Sequence, residues 1–198
     1  MTVFLEAEIT GETETKAFGG AFAECVKPKD LILLVGDLGA GKTTFVSGAV
    51  SRLCPGEEAT SPTFTLVHRY RGLNFDVLHA DLWRLDNEKE ITDLSIWEEL
   101  EEGAAAFVEW GDKAGELLGV PDYLISFGEQ KPGSRLVRIF FPDQGKDPNE
   151  AFFLYGSATA EVDISDVSAE ENSGITRPLK AAFCKNGISV KERRTQTV

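Results

Sequence analysis

Hydrophobic residues in the first quarter of the chain follow two different spacings. Residues 3–9 alternate apolar and polar side chains, which predicts a half-buried strand. Residues 31–35 are continuously apolar, as expected of a strand that is buried on both faces. Each segment precedes a stripe of apolar residues at helical spacing, formed by Phe18, Ala21, Phe22 and Cys25 and then by Phe45, Val46, Ala49, Val50 and Leu53. The pattern therefore predicts strand, helix, strand, helix.

The same alternation continues through the middle of the chain. Further strands are predicted at residues 65–70, 75–83, 104–108, 123–127 and 136–141, the last two as a hairpin. An acidic helix is predicted over residues 88–102, with Ile91, Leu94, Trp97 and Leu100 facing inward. Strands that alternate with helices indicate an α/β fold, with a mostly parallel or mixed central sheet flanked by helices.

The composition changes after Pro142. Residues 143–198 include a stretch rich in Ser, Asp and Glu, and their only apolar clusters lie at 152–155 and 179–183. A segment with so few apolar residues buries too little surface to fold alone. We therefore predict an α/β domain over residues 1–142 and a largely flexible C-terminal extension over residues 143–198.

Charge and cysteine content narrow the classes of function. The 198 residues carry 33 acidic and 20 basic side chains, a net charge of −13, which argues against a general nucleic-acid binder or a protein held on anionic lipid. Three scattered cysteines indicate a reducing compartment. The first ten residues lack the positive charge of a signal peptide, and residues 31–35 are far too short to span a bilayer. We expect a cytoplasmic protein without membrane contact.

A phosphate-binding motif lies between the strand at 31–35 and the second helical stripe. The sequence GDLGAGKT matches G-x-x-x-x-G-K-[ST]. Its residues are Gly36, Asp37, Leu38, Gly39, Ala40, Gly41, Lys42 and Thr43, followed by Thr44. Glycines let backbone N–H groups approach phosphate oxygens, and the helix N-terminus favours negative charge. We expect Lys42 to reach the β- and γ-phosphates and the Thr43 hydroxyl to bind Mg²⁺.

Two carboxylates follow predicted strands and are candidates for a magnesium nucleotide site. Asp81 ends the strand FDVLHAD, and Glu109 ends AAAFVE. Either residue could hold Mg²⁺ while the other orients the attacking water, and spacing alone does not assign these roles. His79 shares a strand face with Asp81 but is interpreted as a core residue, and Trp110 as a packing residue.

A short loop follows the phosphate-binding helix. Its residues are Ser61, Pro62, Thr63 and Phe64. In P-loop switch proteins this position often holds a segment that becomes ordered around the γ-phosphate. The residues alone do not decide between a switch loop and a plain connector.

The segments GDLGAGKTT, SPTFTL, HADLWRL and VEW, in this order and spacing, resemble the TsaE family over most of residues 1–142. The resemblance implies a P-loop NTPase fold and a Mg²⁺-dependent ATPase. It further implies a role in forming threonylcarbamoyladenosine at position 37 of tRNAs that read ANN codons (t6A37). The implied partners are TsaB and TsaD, with tRNA met only through that complex and ATP hydrolysis licensing repeated turnover.

The resemblance also implies roles for individual residues. Residues 38–44 would bind the phosphates, and Thr43 and Glu109 would bind Mg²⁺. Asp81 would be the Walker-B-like acid. Together with Lys42, the two acids are the implied catalytic residues, and residues 61–64 the implied switch loop. Glu12 and Arg135 are placed near the nucleotide. Trp83 stands where the family usually has tyrosine.

The main alternative is a P-loop small-molecule kinase. A kinase normally adds an arginine-bearing lid, and no arginine-rich segment lies between Arg84 and Arg135. A GTPase would need a guanine-reading NKxD sequence, which Asn87-Glu88-Lys89-Glu90 does not match. No obvious arginine finger or water-positioning glutamine is present, so we expect slow turnover by the isolated chain.

Overall fold

A computed structural model describes residues 2–131, 133–141 and 173–195. The strands are β1 (Thr2–Thr10), β2 (Leu31–Gly36), β3 (Val67–Tyr70), β4 (Val77–Asp81), β5 (Ala105–Glu109), β6 (Tyr123–Lys131), β7 (Ser134–Phe140) and β8 (Lys191–Thr195). The α-helices are α1 (Gly11–Phe22), α2 (Lys42–Leu53), α3 (Glu88–Thr92), α4 (Ile96–Glu101) and α5 (Ser173–Lys185), with 3₁₀ helices at Ala23–Cys25 and Gly111–Leu118. The predicted α/β fold is confirmed.

One mixed sheet carries all eight of these strands, in the order β3-β4-β5-β2-β6-β7-β1-β8. The pairs β4/β5, β5/β2 and β2/β6 are parallel, and the remaining pairs are antiparallel. Strands β4 and β5 are buried along their whole length, as parallel strands that are covered on both faces usually are. Parallel strands end at the same edge of a sheet, so Gly36, Asp81 and Glu109 lie at one edge, with Asp81 directly opposite Glu109 in the β4/β5 register.

Helices α1 and α2 lie on one face of the sheet and pack against each other at very short range. A Cβ atom on Gly19 of α1 would lie 2.0 Å from the carbonyl oxygen of Phe45, and one on Gly48 of α2 would lie 2.0 Å from that of Lys16. Only glycine allows this approach, and it brings the rings of Phe22 and Phe45 to 5.4 Å between centroids. The helix that follows the phosphate-binding motif is therefore held firmly against α1.

The predicted acidic helix over 88–102 is wrong in its continuity and in part of its inward face. It forms two short helices, α3 and α4, separated at Ser95, whose φ of 54° lies in the left-handed region. The break shifts the helical phase, so Ile96 is buried and Trp97 is 47% exposed. The Trp97 indole N–H donates instead to the carbonyl of Leu117 at 3.0 Å.

The described part of the predicted extension packs on the rest of the chain. Residues 142–172, including the predicted cluster at 152–155, lie outside the described residues, as do 196–198. Leu179 and Phe183 of α5 are fully buried, and the Phe183 ring stacks on Phe18 at 4.5 Å between centroids. Strand β8 pairs with β1. The division at residue 142 stays a prediction, while residues 173–195 extend the sheet and core of the preceding domain.

Asp30, which directly precedes β2, is expected to make the stability of the protein depend on pH. Burial, aided by the neighbouring charge of Asp122, raises the pKa of Asp30 from 3.8 to about 6. The folded carboxyl group therefore binds its proton more tightly than the unfolded one, and this contribution to stability is lost as the pH rises through about 6. We expect Asp30→Asn to raise the melting temperature relative to the natural chain at pH 7.5 but not at pH 4. Thermal melts at both pH values test this, and a difference that is the same at both would contradict it.

Candidate functional site

The loop between β2 and α2 has the backbone of a phosphate-binding loop. Gly36, Gly39 and Gly41 have φ values of 140°, 79° and 106°. Residues other than glycine rarely adopt such values. A Cβ atom at Gly36 would lie 2.4 Å from the carbonyl oxygen of Phe127. Gly41 occupies the N-cap of α2 and has no side chain to bond the first N–H groups of that helix. These groups therefore remain suited to an anion.

Lys42 is a buried cation at the base of this loop. Its side chain is 4% exposed, and its Nζ donates to the carbonyls of Gly36 at 2.6 Å and Asp37 at 2.9 Å. The same Nζ lies 3.9 Å from the centre of the Trp110 ring. Burial lowers the pKa of Lys42, and the negative charges of Glu109 and Asp81 oppose that effect.

Glu109 connects the loop to the sheet. Its Oε1 accepts from the Thr43 hydroxyl at 2.7 Å and pairs with Nε2 of His79 at 2.8 Å. Glu109 is 3% exposed, and His79 is fully buried. His79 is therefore a core residue, as predicted, and it also contacts a predicted site residue.

Asp81 is bound to the loop that follows α2. Its Oδ2 accepts from the Thr63 hydroxyl at 2.6 Å, and its Oδ1 accepts from the backbone N–H of Trp83 at 2.9 Å. The Ser61 and Thr63 hydroxyls are themselves 2.6 Å apart. The two strand-end carboxylates thus have different surroundings, Asp81 beside the predicted switch loop and Glu109 beside Thr43.

Two tryptophans form one wall of the site. The rings of Trp83 and Trp110 lie 4.3 Å apart between centroids, and Trp110 has a φ of 59°, a strained conformation for a bulky residue. Lys113 donates to the Trp83 carbonyl at 2.5 Å. Trp110 is a packing residue as predicted, but it also contacts the Lys42 ammonium group.

A cavity of about 340 Å³ opens above these residues. The predicted site residues that line it are Glu12, Leu38, Gly39, Gly41, Lys42, Thr43, Thr44, Ser61, Thr63, Asp81, Glu109 and Arg135. Glu12 pairs with Lys16 at 3.1 Å, and Arg135 donates to the Gly39 carbonyl at 3.3 Å.

The other predicted residues lie around that cavity. Asp37 and Ala40 line a second cavity of about 200 Å³ between the phosphate-binding loop and the β6–β7 hairpin. Pro62 is buried, and its carbonyl accepts from Leu66 N–H at 2.6 Å. The Phe64 side chain is 84% exposed, with the Arg84 guanidinium 4.5 Å from its ring centre.

The oxygen atoms at the cavity base suit magnesium. Among the described residues, no group of three or more His, Cys, Asp and Glu side chains could hold a metal alone. Mg²⁺ is commonly bound by one or two protein oxygens together with substrate phosphates. The Thr43 hydroxyl and the Glu109 carboxylate offer such oxygens, and a hydroxyl that donates its proton keeps its lone pairs for a cation.

Sequence reasoning missed two residues at the cavity. Thr15 of α1 is 1% exposed and lines the cavity, with its hydroxyl donating to the Gly11 carbonyl at 2.8 Å. No motif marks this residue. Arg84 also lines the cavity. Its position directly after Trp83, in the segment HADLWRL, could have marked it as a site residue.

Comparison with known proteins agrees with this architecture. A family model described as "Threonylcarbamoyl adenosine biosynthesis protein TsaE" matches residues 9–137. The protein of that name from Bacillus subtilis is 33% identical over 80% of this chain and 90% of its own length. Its counterpart from Rickettsia conorii is 40% identical over 66% and 75%, respectively.

A solved structure supports the same relationship. The crystal structure of YdiB from Bacillus subtilis matches with a TM-score of 0.57 and 26% identity, covering 79% of this chain and 94% of that chain. In the part of this chain that the structure describes, no helix is both long enough and apolar enough to cross a bilayer. On the match of the family model to residues 9–137, the chain belongs to the TsaE family.

Proposed function

We propose that this chain binds and hydrolyses ATP with Mg²⁺ and thereby supports formation of t6A37 in tRNA, acting with TsaB and TsaD. The observation that best supports the ATPase is the 2.7 Å hydrogen bond between the Thr43 hydroxyl and Glu109. It joins the last residue of the phosphate-binding motif to a strand-end carboxylate, the pairing that a magnesium nucleotide site requires. The relatives named for tRNA threonylcarbamoyladenosine biosynthesis support the pathway.

Lys42 and the loop backbone bind the phosphates in this proposal. The Lys42 ammonium donates to two carbonyls of its own loop, which hold it at the base of the cavity. Phosphate oxygens are stronger acceptors than carbonyls because they carry negative charge. Lys42 therefore exchanges carbonyl partners for the β- and γ-phosphates, and the N-terminus of α2 adds further N–H donors.

The two carboxylates take different roles in this proposal. Thr43 and Glu109 would hold Mg²⁺, which neutralises negative charge on the transferred phosphoryl group. Both oxygens of Asp81 accept hydrogen bonds, from Thr63 and from the Trp83 backbone. Asp81 therefore holds the loop at 61–64 against the cavity and places its carboxylate where a water molecule could be oriented.

The isolated chain is expected to turn over slowly. The two arginines that line the cavity already have partners, Arg84 the Phe64 ring and Arg135 the Gly39 carbonyl. Stabilisation of the transition-state charge by an arginine is worth about 10³–10⁵-fold in rate for P-loop enzymes. A partner that supplies or releases such a group would accelerate hydrolysis.

The decisive experiment measures tRNA modification under multiple-turnover conditions. Purified TsaB and TsaD are assayed with and without this chain, and with and without ATP. We expect modification beyond one equivalent only when both the chain and ATP are present. Equal modification without the chain would contradict the proposed pathway role and favour the kinase alternative.

Replacing Glu109 by glutamine is expected to lower ATP hydrolysis about 10- to 100-fold. Glutamine keeps an acceptor oxygen for Thr43 and His79 but removes the negative charge offered to Mg²⁺. The melting temperature should change little, because the side chain keeps its shape and both donors. ATPase rates at a series of Mg²⁺ concentrations and a thermal melt test this. A loss of stability comparable to a core truncation, with unchanged hydrolysis, would instead indicate a structural role.

A further inference from the structure

His79 is a buried polar residue on the sheet face that α2 covers. Val77, two residues earlier on β4, belongs to the apolar cluster that includes Phe45 and Ala49 of α2. Side chains two residues apart on a strand share a face, so His79 lies beneath the same helix. His79 itself has no exposed surface. A polar ring at such a place needs a reason beyond filling volume.

One polar contact distinguishes His79 from the residues around it. Its Nε2 lies 2.8 Å from Oε1 of Glu109, so this nitrogen carries the proton and donates to the carboxylate. Its Nδ1 is buried and has no hydrogen-bond partner among the described residues. The ring therefore makes no hydrogen bond that would hold the fold together elsewhere. Its polar contribution is directed at Glu109.

The Glu109 carboxylate is held asymmetrically. Both His79 and the Thr43 hydroxyl donate to the same atom, Oε1, at 2.8 and 2.7 Å. Within the described residues no hydrogen bond to Oε2 is present. Two donors on one oxygen fix the rotation of the carboxylate plane, and Glu109 is one of the residues that line the cavity.

We propose that His79 is a positioning residue that sets the Glu109 carboxylate for Mg²⁺. This inference rests on the proposed nucleotide-binding function. His79 does not touch the nucleotide or the metal, and it acts only through its N–H donor to Oε1. Partners that orient a metal-binding side chain typically contribute 10- to 100-fold to metal affinity.

The test measures the gain in ATP affinity that Mg²⁺ provides, by calorimetry of the full chain with and without the metal. His79→Leu keeps a similar volume but removes the donor, and we expect it to reduce the gain about 10-fold or more. His79→Gln places an amide N–H near the position of Nε2, and we expect it to restore most of the gain. His79→Asn holds its amide closer to the backbone, and we expect it to behave like His79→Leu.

Val77→Ala is the matched control, because Val77 lies on the same strand and face and is fully buried. This change destabilises the core without touching Glu109, so the Mg²⁺ gain should match that of the natural chain. If His79→Leu fails to fold, the difference in Mg²⁺ gain between His79→Gln and His79→Asn tests the positioning role instead.

The outcomes separate the two proposals. Full Mg²⁺ gain in His79→Leu or His79→Asn would overturn the positioning role of His79, as would an equal loss in Val77→Ala. Failure of the natural chain to bind ATP under any condition would overturn the proposed function and this inference together. ATP binding by the natural chain that ignores Mg²⁺ would overturn the roles of Glu109 and His79 but leave the phosphate-binding loop intact.

Discussion

Replacing Lys42 by alanine is expected to abolish ATP hydrolysis and to weaken ATP binding by at least about 100-fold. Lys42 is 4% exposed and lines the cavity, and the phosphate-binding motif contains no other basic side chain that could replace its charge. Charge-assisted hydrogen bonds to phosphate are individually worth about 1.5–3 kcal/mol, and Lys42 is proposed to make two. Calorimetry with ATP and a phosphate-release assay with TsaB and TsaD measure the two effects.

Lys89→Ala is the matched control for Lys42→Ala, because it removes one exposed lysine from the last turn of α3. It should leave both ATP affinity and hydrolysis unchanged. The fold of Lys42→Ala is expected to persist, because the change also removes a buried charge. Hydrolysis by Lys42→Ala at the rate of the natural chain would show that the loop does not bind the phosphates.

Phe183→Ala is expected to lower the free energy of unfolding by about 3–5 kcal/mol. The Phe183 ring is fully buried and stacks on Phe18 at 4.5 Å, with the two planes 3° apart. A loss of this size is a large fraction of the roughly 5–15 kcal/mol that stabilises a typical domain. Urea denaturation of the full chain measures it. ATP affinity of the folded variant should be unchanged, because Phe183 does not line the cavity.

Leu73→Ala provides the comparison for Phe183→Ala, since Leu73 is 78% exposed. Exposed substitutions of this kind usually change stability by less than about 0.5 kcal/mol. A Phe183→Ala variant as stable as Leu73→Ala would mean that α5 contributes little to the core. That result would support the prediction of a largely flexible extension over residues 143–198.

Most of the fold follows from spacing in the sequence. Strands and helices at residues 3–53 are predicted because apolar periodicity there is strong and the phosphate-binding motif fixes the junction at 36–43. The break at Ser95 is not predicted, because neither glycine nor proline marks it. The exposed Trp97 follows from that break, since a change of helical phase alters which residues of the second helix face inward.

The parts of the site that escaped prediction depend on contacts between distant segments. The sequence places His79 and Asp81 on one strand face, but the bond from His79 to Glu109 depends on the register of β4 against β5. Arg135 reaches Gly39 only because the β6–β7 hairpin lies beside the phosphate-binding loop. Pairing partners and register are set by tertiary packing, which a single sequence does not display.

Strand β1 has consequences for the order in which the molecule is assembled during synthesis. It is synthesised before the other seven described strands, yet Leu5 pairs with Ile139 on one side and with Glu192 on the other. The parallel strands β2, β4 and β5 lie between β1 and its two partners, β7 and β8, in the sequence. They can pair with one another before β7 and β8 have been synthesised. Pairings across such long stretches of chain form slowly. The growing polypeptide therefore exposes both edges of β1 until β7 and β8 have been synthesised, which is the period when chaperones would be needed most.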